Sequence, residues 1–241
     1  MNVWVDPVSM DQALARVTYF LKRGDGPHSV FAVNPEKNFS VPKDSLLYET
    51  FKTADLLIPD GIGVVLAARV LHGIKLQRLP GVELMDNICG LSARNGHTIF
   101  IFGAREDVNK TAVDVLRKRY PGLVIAGRSN GYVKEEEMGD LVKRINTSGA
   151  EILFLALGSP KQEKWFAVHK ESLDNVRVCQ GIGGTLDTIA GNVRRAPKIW
   201  CRCHAEWLYR LISNPKRIRR QKLLPVFAAM VILSSLKGLD S

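Results

Sequence analysis

Five short clusters of polar and glycine residues carry the chemistry open to this sequence: Asn34-Pro35-Glu36, Asp60-Gly61-Ile62-Gly63, Gly103-Ala104, Gly158-Ser159-Pro160 and Gly181-Ile182-Gly183-Gly184. Each follows a short apolar run. Glycines in such places let main-chain N–H groups approach phosphate oxygens, and helix N-termini just beyond them favour negative charge. Asp60 is suited to accepting a proton, with capping of the helix that follows as the alternative. Asn34 and Gln162 each offer a donor and an acceptor to a hydroxyl-rich ligand, although Gln162 also reads as an ordinary first-turn helix residue. Any one cluster is what a strand-to-helix turn uses anyway. Five of them, all past strand ends, point to a ligand site.

The elements that must position these clusters alternate along the chain. Strands are expected at Val30–Val33, Leu56–Ile58, Thr98–Phe102, Leu123–Ala126, Ile152–Ala156 and Val176–Gln180. Helix-period segments lie near Met10–Lys22, Lys43–Lys52, Gly63–Leu71, Glu83–Ala93, Asp107–Arg119, Glu135–Ile145 and Lys161–His169. This alternation predicts an α/β fold with a mainly parallel sheet. The continuous apolar character of the strands predicts helices on both faces. In such a sheet the residues just past the carboxyl ends of the strands converge on a crevice where ligands bind.

Charge is distributed unevenly. Between Arg194 and Lys222 stand ten Lys and Arg against the single acid Glu206, so this segment holds nine of the ten net positive charges. A nearly neutral body with a basic tail calls for an anionic partner: nucleic acid, anionic lipid or a phosphate-bearing substrate. The N-terminus lacks a signal-peptide pattern and no apolar run is long enough to span a bilayer, which predicts a cytoplasmic protein. The four cysteines have neither zinc-ribbon nor disulfide-framework spacing, and no Asp-x-Asp pair of the kind that clamps a metal-bound nucleotide sugar occurs. No metal and no cofactor are expected. A dinucleotide-dependent oxidoreductase would want G-x-G-x-x-G at Gly181, but the last position is Leu186, and the acid about twenty residues on, Glu206, lies in the basic segment.

Order and spacing of several motifs along nearly the whole chain resemble the WecG/TagA/CpsF family of bacterial glycosyltransferases. The matching residues are Asn34-Pro35-Glu36, Pro59-Asp60-Gly61-Ile62-Gly63, Gly158-Ser159-Pro160-Lys161-Gln162-Glu163, the run from Gly181 through Asp187 to Arg194-Arg195-Ala196-Pro197, and Glu206-Trp207-Leu208-Tyr209-Arg210-Leu211. The resemblance implies inverting transfer of a hexose, an N-acetylhexosamine or its uronic acid from a UDP-sugar to a polyprenyl-diphosphate-linked glycan, without a metal ion. It assigns Asp60 as the base and Arg78, the match to a family arginine, as a stabiliser of the leaving diphosphate; a solvated surface charge is the alternative for Arg78. Gly158, Gly181, Gly183 and Gly184 would line the nucleotide pocket. Asp187 would bond ribose or uracil, unless it caps or pairs with an arginine. The family commonly has Thr at the place of Ala32 and Gly-Val-Asp at Gly81-Val82-Glu83, and both departures bear on the donor sugar.

These readings give a Rossmann-like catalytic domain over residues 1–192 and a basic amphipathic appendage over 193–241. In the appendage Arg194, Arg195 and Arg210 are expected to meet the acceptor diphosphate, and Lys216, Arg217, Arg219, Arg220 and Lys222 an anionic membrane surface, each adding about 1 kcal/mol near it. The uncharged segment Leu223–Leu236 suits the membrane interface; a core helix or an oligomer contact is the alternative. Nucleic-acid binding is the rival for the tail, but no nucleic-acid motif accompanies it.

Overall fold

A computed structural model describes residues 3–193, 200, 209 and 223–237 of the chain. Six parallel strands form one sheet in the order β2-β1-β6-β5-β3-β4. The strands are β1 (His28–Val33), β2 (Leu56–Pro59), β3 (Thr98–Gly103), β4 (Val124–Ser129), β5 (Ile152–Ala156) and β6 (Val178–Gly181). Helices α1 (Met10–Arg23), α5 (Gly81–Asn95), α6 (Glu106–Arg119) and α9 (Thr185–Ile189) close one core. Helices α3 (Ser45–Lys52), α4 (Ile62–His72), α7 (Met138–Thr147) and α8 (Lys161–His169) close the other. The short α2 (Lys37–Ser40) follows β1, and α10 (Leu223–Lys237) lies near the C-terminus.

Side-chain alternation along each strand divides the two cores. Val30, Ile99, Ile101, Ile152 and Phe154 enter the first, while Phe31, Phe100, Phe102, Leu153 and Leu155 enter the second. All are buried. Burying each such side chain contributes about 1.5–3 kcal/mol, which explains why the strands are apolar on both faces. Local signals agree with this division. Ser9 accepts the Gln12 N–H and Gln12 accepts the Ser9 N–H in a capping box that starts α1, and Gly24 ends it in the left-handed conformation.

The helices that follow β1, β6, β5 and β3 leave to alternate faces: α3, α9, α8 and α6 in turn. In open parallel sheets of this kind, ligands bind along the carboxyl edge where the connections diverge.

Several boundaries differ from the sequence expectation by one to three residues, β1 for instance starting at His28, and two strands show why. Strand β4 runs Val124–Ser129 and not Leu123–Ala126, because it is an edge strand with one partner and exposes Val124 while burying Ile125 and Ser129. Its register to β3 shifts between Ile99 and Phe100, which sets Gly127 against the Phe100 ring; a Cβ there would lie 2.4 Å from a ring carbon. Strand β6 starts two residues late, since the Arg177 N–H and C=O bond Glu151 and His28 outside the ladder.

Candidate active site

The Asp60 loop is bolted to the end of the neighbouring strand. The N–H groups of Asp60 and Gly61 both donate to the Val33 carbonyl, at 3.1 and 3.3 Å. Helix α4 begins at Ile62 with Gly61 as its N-cap residue and no side-chain cap, so Asp60 stands one residue before the capping position. Two glycines let this loop press against the one after β1. A Cβ on Gly61 would come within 2.9 Å of Pro35 Cδ and 3.2 Å of Asn34 Cβ, and one on Gly63 within 2.7 Å of Pro35 Cγ. Asn34 and Asp60 are therefore immediate neighbours, and Asn34 Oδ1 accepts the Lys37 N–H at 3.3 Å.

Arg78 is part of this corner and not a solvated surface charge. Its Nε donates to the Asp60 carbonyl at 2.7 Å, and Nη2 lies 3.9 Å from Asp60 Oδ1. The Leu79 N–H donates to Pro59 O at 2.8 Å and fixes the arginine's segment along the end of β2. The Asp60 side chain is 35% exposed, and Arg78 is more enclosed, at 19%. A partly exposed carboxylate beside an anchored guanidinium can accept a proton from one reactant while positive charge faces another.

The loops after β5 and β6 form the adjoining wall. Gln162, in the first turn of α8, is buried; its Oε1 accepts the Gly183 N–H at 3.0 Å and its Nε2 donates to Glu163 Oε1 at 3.4 Å. A Cβ on Gly181 would fall 2.4 Å from Gln162 Nε2, so the loop requires glycine there to close over the amide. Gly158 and Gly183 have φ of +74° and +53°, and a Cβ on either would meet nothing within 4 Å. Their backbones demand glycine and the space over them is open. Gly184 faces Asp187 Oδ2, 3.9 Å from its own Cβ position. Asp187 lies in α9 and its carbonyl accepts the Val193 N–H at 3.1 Å. The structure thus brings Asn34, Asp60 and Arg78 together, and joins Gly158, Gln162, Gly181, Gly183 and Gly184 in the adjacent wall.

Sequence reasoning missed the link between the two groups. Lys37 Nζ is buried, 2.6 Å from Glu163 Oε1, in contact with Ser159 Oγ, and 4.7 Å from the centre of the Phe51 ring. Residues so far apart in the chain carry no spacing signal, and Glu163 was visible merely as part of the Gly158–Glu163 motif.

Arg194, Arg195, Arg210, Lys216, Arg217, Arg219, Arg220 and Lys222 lie outside the described residues. Among the described residues no cluster of His, Cys, Asp or Glu is arranged to hold a metal ion. Cys89 and Cys179 are buried free thiols, and burial pushes Cys89 up to about 12 and raises Cys179 as well. A polar recess lined by Glu106, Arg128, Ser129, Asn130 and Arg144 sits at the outer end of β4, away from Asp60. Helix α10 packs on α4: buried Phe227 reaches 3.7 Å from the Gly63 Cβ position and meets Phe39 edge-on at 6.4 Å. Val226, Ile232, Leu233 and Leu236 on α10 are exposed, as are Leu66, Val70 and Ile74 on or beside α4, so α10 is not a core helix.

The chain is 34% identical over 203 residues to the N-acetylglucosaminyldiphosphoundecaprenol N-acetyl-beta-D-mannosaminyltransferase of Bacillus subtilis (strain 168), covering 84% of this chain and 78% of that one. The enzyme of the same description from Staphylococcus aureus (strain MRSA252) is 33% identical over 229 residues, 94% of this chain and 89% of its own. The family described as glycosyl transferase WecG/TagA/CpsF matches residues 1–241. With its motif loops gathered on one edge of a parallel sheet and that match running from end to end, the chain belongs to the WecG/TagA/CpsF family of glycosyltransferases.

Proposed function

We propose that the protein transfers a hexosyl or N-acetylhexosaminyl residue, N-acetylmannosamine being the first candidate, from a UDP-sugar to a polyprenyl-diphosphate-linked glycan with inversion. The observation that carries this reading is the corner where Asp60, Asn34 and anchored Arg78 meet at the carboxyl edge. The relatives compared above are N-acetylmannosaminyltransferases that act on N-acetylglucosaminyldiphosphoundecaprenol.

In the reaction an acceptor hydroxyl oxygen attacks the anomeric carbon, and its proton passes to the Asp60 carboxylate. The bond from that carbon to the diphosphate oxygen breaks, and UDP leaves from the opposite face. Base assistance of this kind contributes roughly 10²–10⁴-fold. Negative charge growing on the diphosphate is met by Arg78, by main-chain N–H groups of the Gly158 and Gly181–Gly184 loops, and by the N-terminus of α8. Asn34 holds a sugar hydroxyl, Asp187 the ribose or uracil, and Gln162 shapes the nucleotide loop through Gly183.

Residues 1–192 act as the catalytic unit, and the appendage of 193–241 brings it to the inner face of the plasma membrane. Arg194, Arg195 and Arg210 are assigned to the acceptor diphosphate, and Lys216, Arg217, Arg219, Arg220 and Lys222 to anionic lipid. Helix α10 reaches the Asp60 loop through buried Phe227, near Gly63, and its exposed apolar side chains are the surface assigned to the lipid that carries the acceptor. Among the described residues no helix is long and apolar enough to cross a membrane, so the contact is peripheral in this reading.

The test is UDP release from a panel of UDP-sugars, each with and without short-chain polyprenyl-diphosphate acceptors. Acceptor-dependent release from one donor supports the proposal. Absence of both turnover and calorimetric UDP binding refutes it.

A further inference from the structure

We propose that Lys37 and Glu163 are a positioning pair that fixes the loops after β1, β5 and β6 in one arrangement for donor binding. This inference rests on the reading of the carboxyl edge as the donor site. Both side chains are nearly inaccessible, at 3% and 1% exposure, and Lys37 Nζ stands 2.6 Å from Glu163 Oε1.

Stability alone is a poor explanation for such a pair. Taking two charges out of water costs several kcal/mol each, and replacing a buried ion pair by neutral residues of similar volume is often neutral or stabilising. Here the carboxylate is also incompletely satisfied: Glu163 Oε2 is buried with no hydrogen-bond partner among the described residues. A charge pair kept under those terms points to a demand for one geometry.

The connections at each end say what that geometry is. The main chain of Lys37 is tied to Asn34, whose carbonyl and Oδ1 accept its N–H at 3.0 and 3.3 Å. The ammonium also touches Ser159 Oγ, in the loop after β5. Glu163 Oε1 accepts from Gln162 Nε2, and Gln162 Oε1 in turn accepts the Gly183 N–H. One chain of contacts thus runs from Asn34 through Lys37, Glu163 and Gln162 to Gly183. It joins the loops of β1, β6 and β5, which are neighbours in the sheet. Apart from this pair, the β5 and β6 loops are tied by the Gln162–Gly183 bond and by the Ile182 N–H on the Leu155 carbonyl, and the pair adds the link to the β1 loop.

The deciding variant is Lys37→Met/Glu163→Gln, which removes both charges together and keeps both volumes. Three readouts are taken: thermal melting, steady-state UDP release with kcat and donor KM separated, and hydrogen exchange across residues 181–184. The expected result is a melting temperature close to wild type, a kcat lowered about 10²-fold as for displacements of about 1 Å, a raised donor KM, and faster exchange at 181–184 with β1 and β5 still protected. Wild-type kcat and KM in the folded double variant would overturn the proposal, as would unchanged exchange at 181–184. Should the double variant not fold, Lys37→Met alone removes the ammonium and leaves a carboxyl that can take up a proton; accelerated exchange at 181–184 supports the pair's role and wild-type exchange overturns it. If the wild-type enzyme neither turns over nor binds UDP, the donor-site reading fails, and the exchange measurement still decides whether the pair locks the loop.

Discussion

Replacing Asp60 by Asn separates chemistry from structure at this site. The main-chain anchors, Asp60 N–H to Val33 at 3.1 Å and Arg78 Nε to the Asp60 carbonyl at 2.7 Å, do not involve the side chain and survive the substitution. The side-chain approach to Arg78 is 3.9 Å long with the carboxylate 35% exposed. Such a solvated pair contributes at most about 1 kcal/mol, which for a chain of this size moves the melting temperature by roughly 2–4 °C. The catalytic loss is far larger. A base contribution of roughly 10²–10⁴-fold corresponds to about 2.7–5.4 kcal/mol at 1.36 kcal/mol per decade. The assay is acceptor-dependent UDP release at saturating donor, alongside calorimetry of UDP binding. Asp60→Asn is expected to lose at least about 10²-fold in kcat while binding UDP as wild type does. Release within threefold of wild type would refute the assignment of Asp60 as base. Loss of UDP binding in a folded variant would refute the separation of donor binding from the carboxylate.

Arg78→Lys keeps the charge but loses the planar Nε–H that holds the Asp60 carbonyl. A charged hydrogen bond of this kind contributes about 1.5–3 kcal/mol, so kcat/KM is expected to fall by roughly ten- to a hundredfold, read by the same UDP-release assay. Ile232→Asp/Leu233→Asp alters two exposed side chains of α10, and is expected to abolish flotation on vesicles rich in anionic lipid while leaving melting and UDP binding unchanged. His169 packs on Trp165 at 4.8 Å, and burial lowers its pKa from 6.5. The unfolded chain then binds the extra proton first, so its contribution to stability is full above pH 6.5 and is lost as pH falls through the depressed folded value. Denaturant titrations of His169→Gln are expected to show a flatter decline of stability below pH 6.5 than wild type.

The parallel sheet, its two covered faces and the gathering of loops at one edge follow from the sequence, because continuous apolar runs such as Ile152–Ala156 can be satisfied only by burial on both sides. Asp60, Asn34 and the Gly181–Gly184 loop were legible as residues of the edge, since their positions past strand ends do not depend on which strands are neighbours. What they touch does depend on it. The order β2-β1-β6-β5 puts the Asn34 loop against Asp60 on one side and near the loops of β5 and β6 on the other. Arg78 reads as a solvated charge or a ligand until its guanidinium is found on the Asp60 carbonyl. Gln162 reads as a sugar contact or a first-turn residue until its amide is found holding Gly183. The edge character of β4 and the outward apolar face of α10 likewise emerge from packing, because periodicity reports which side chains are apolar and not how many elements arrive to cover them. Lys37 and Glu163 are the extreme case: a lysine and a glutamate in separate motifs look solvated in the sequence, and the sheet order alone brings them together out of water.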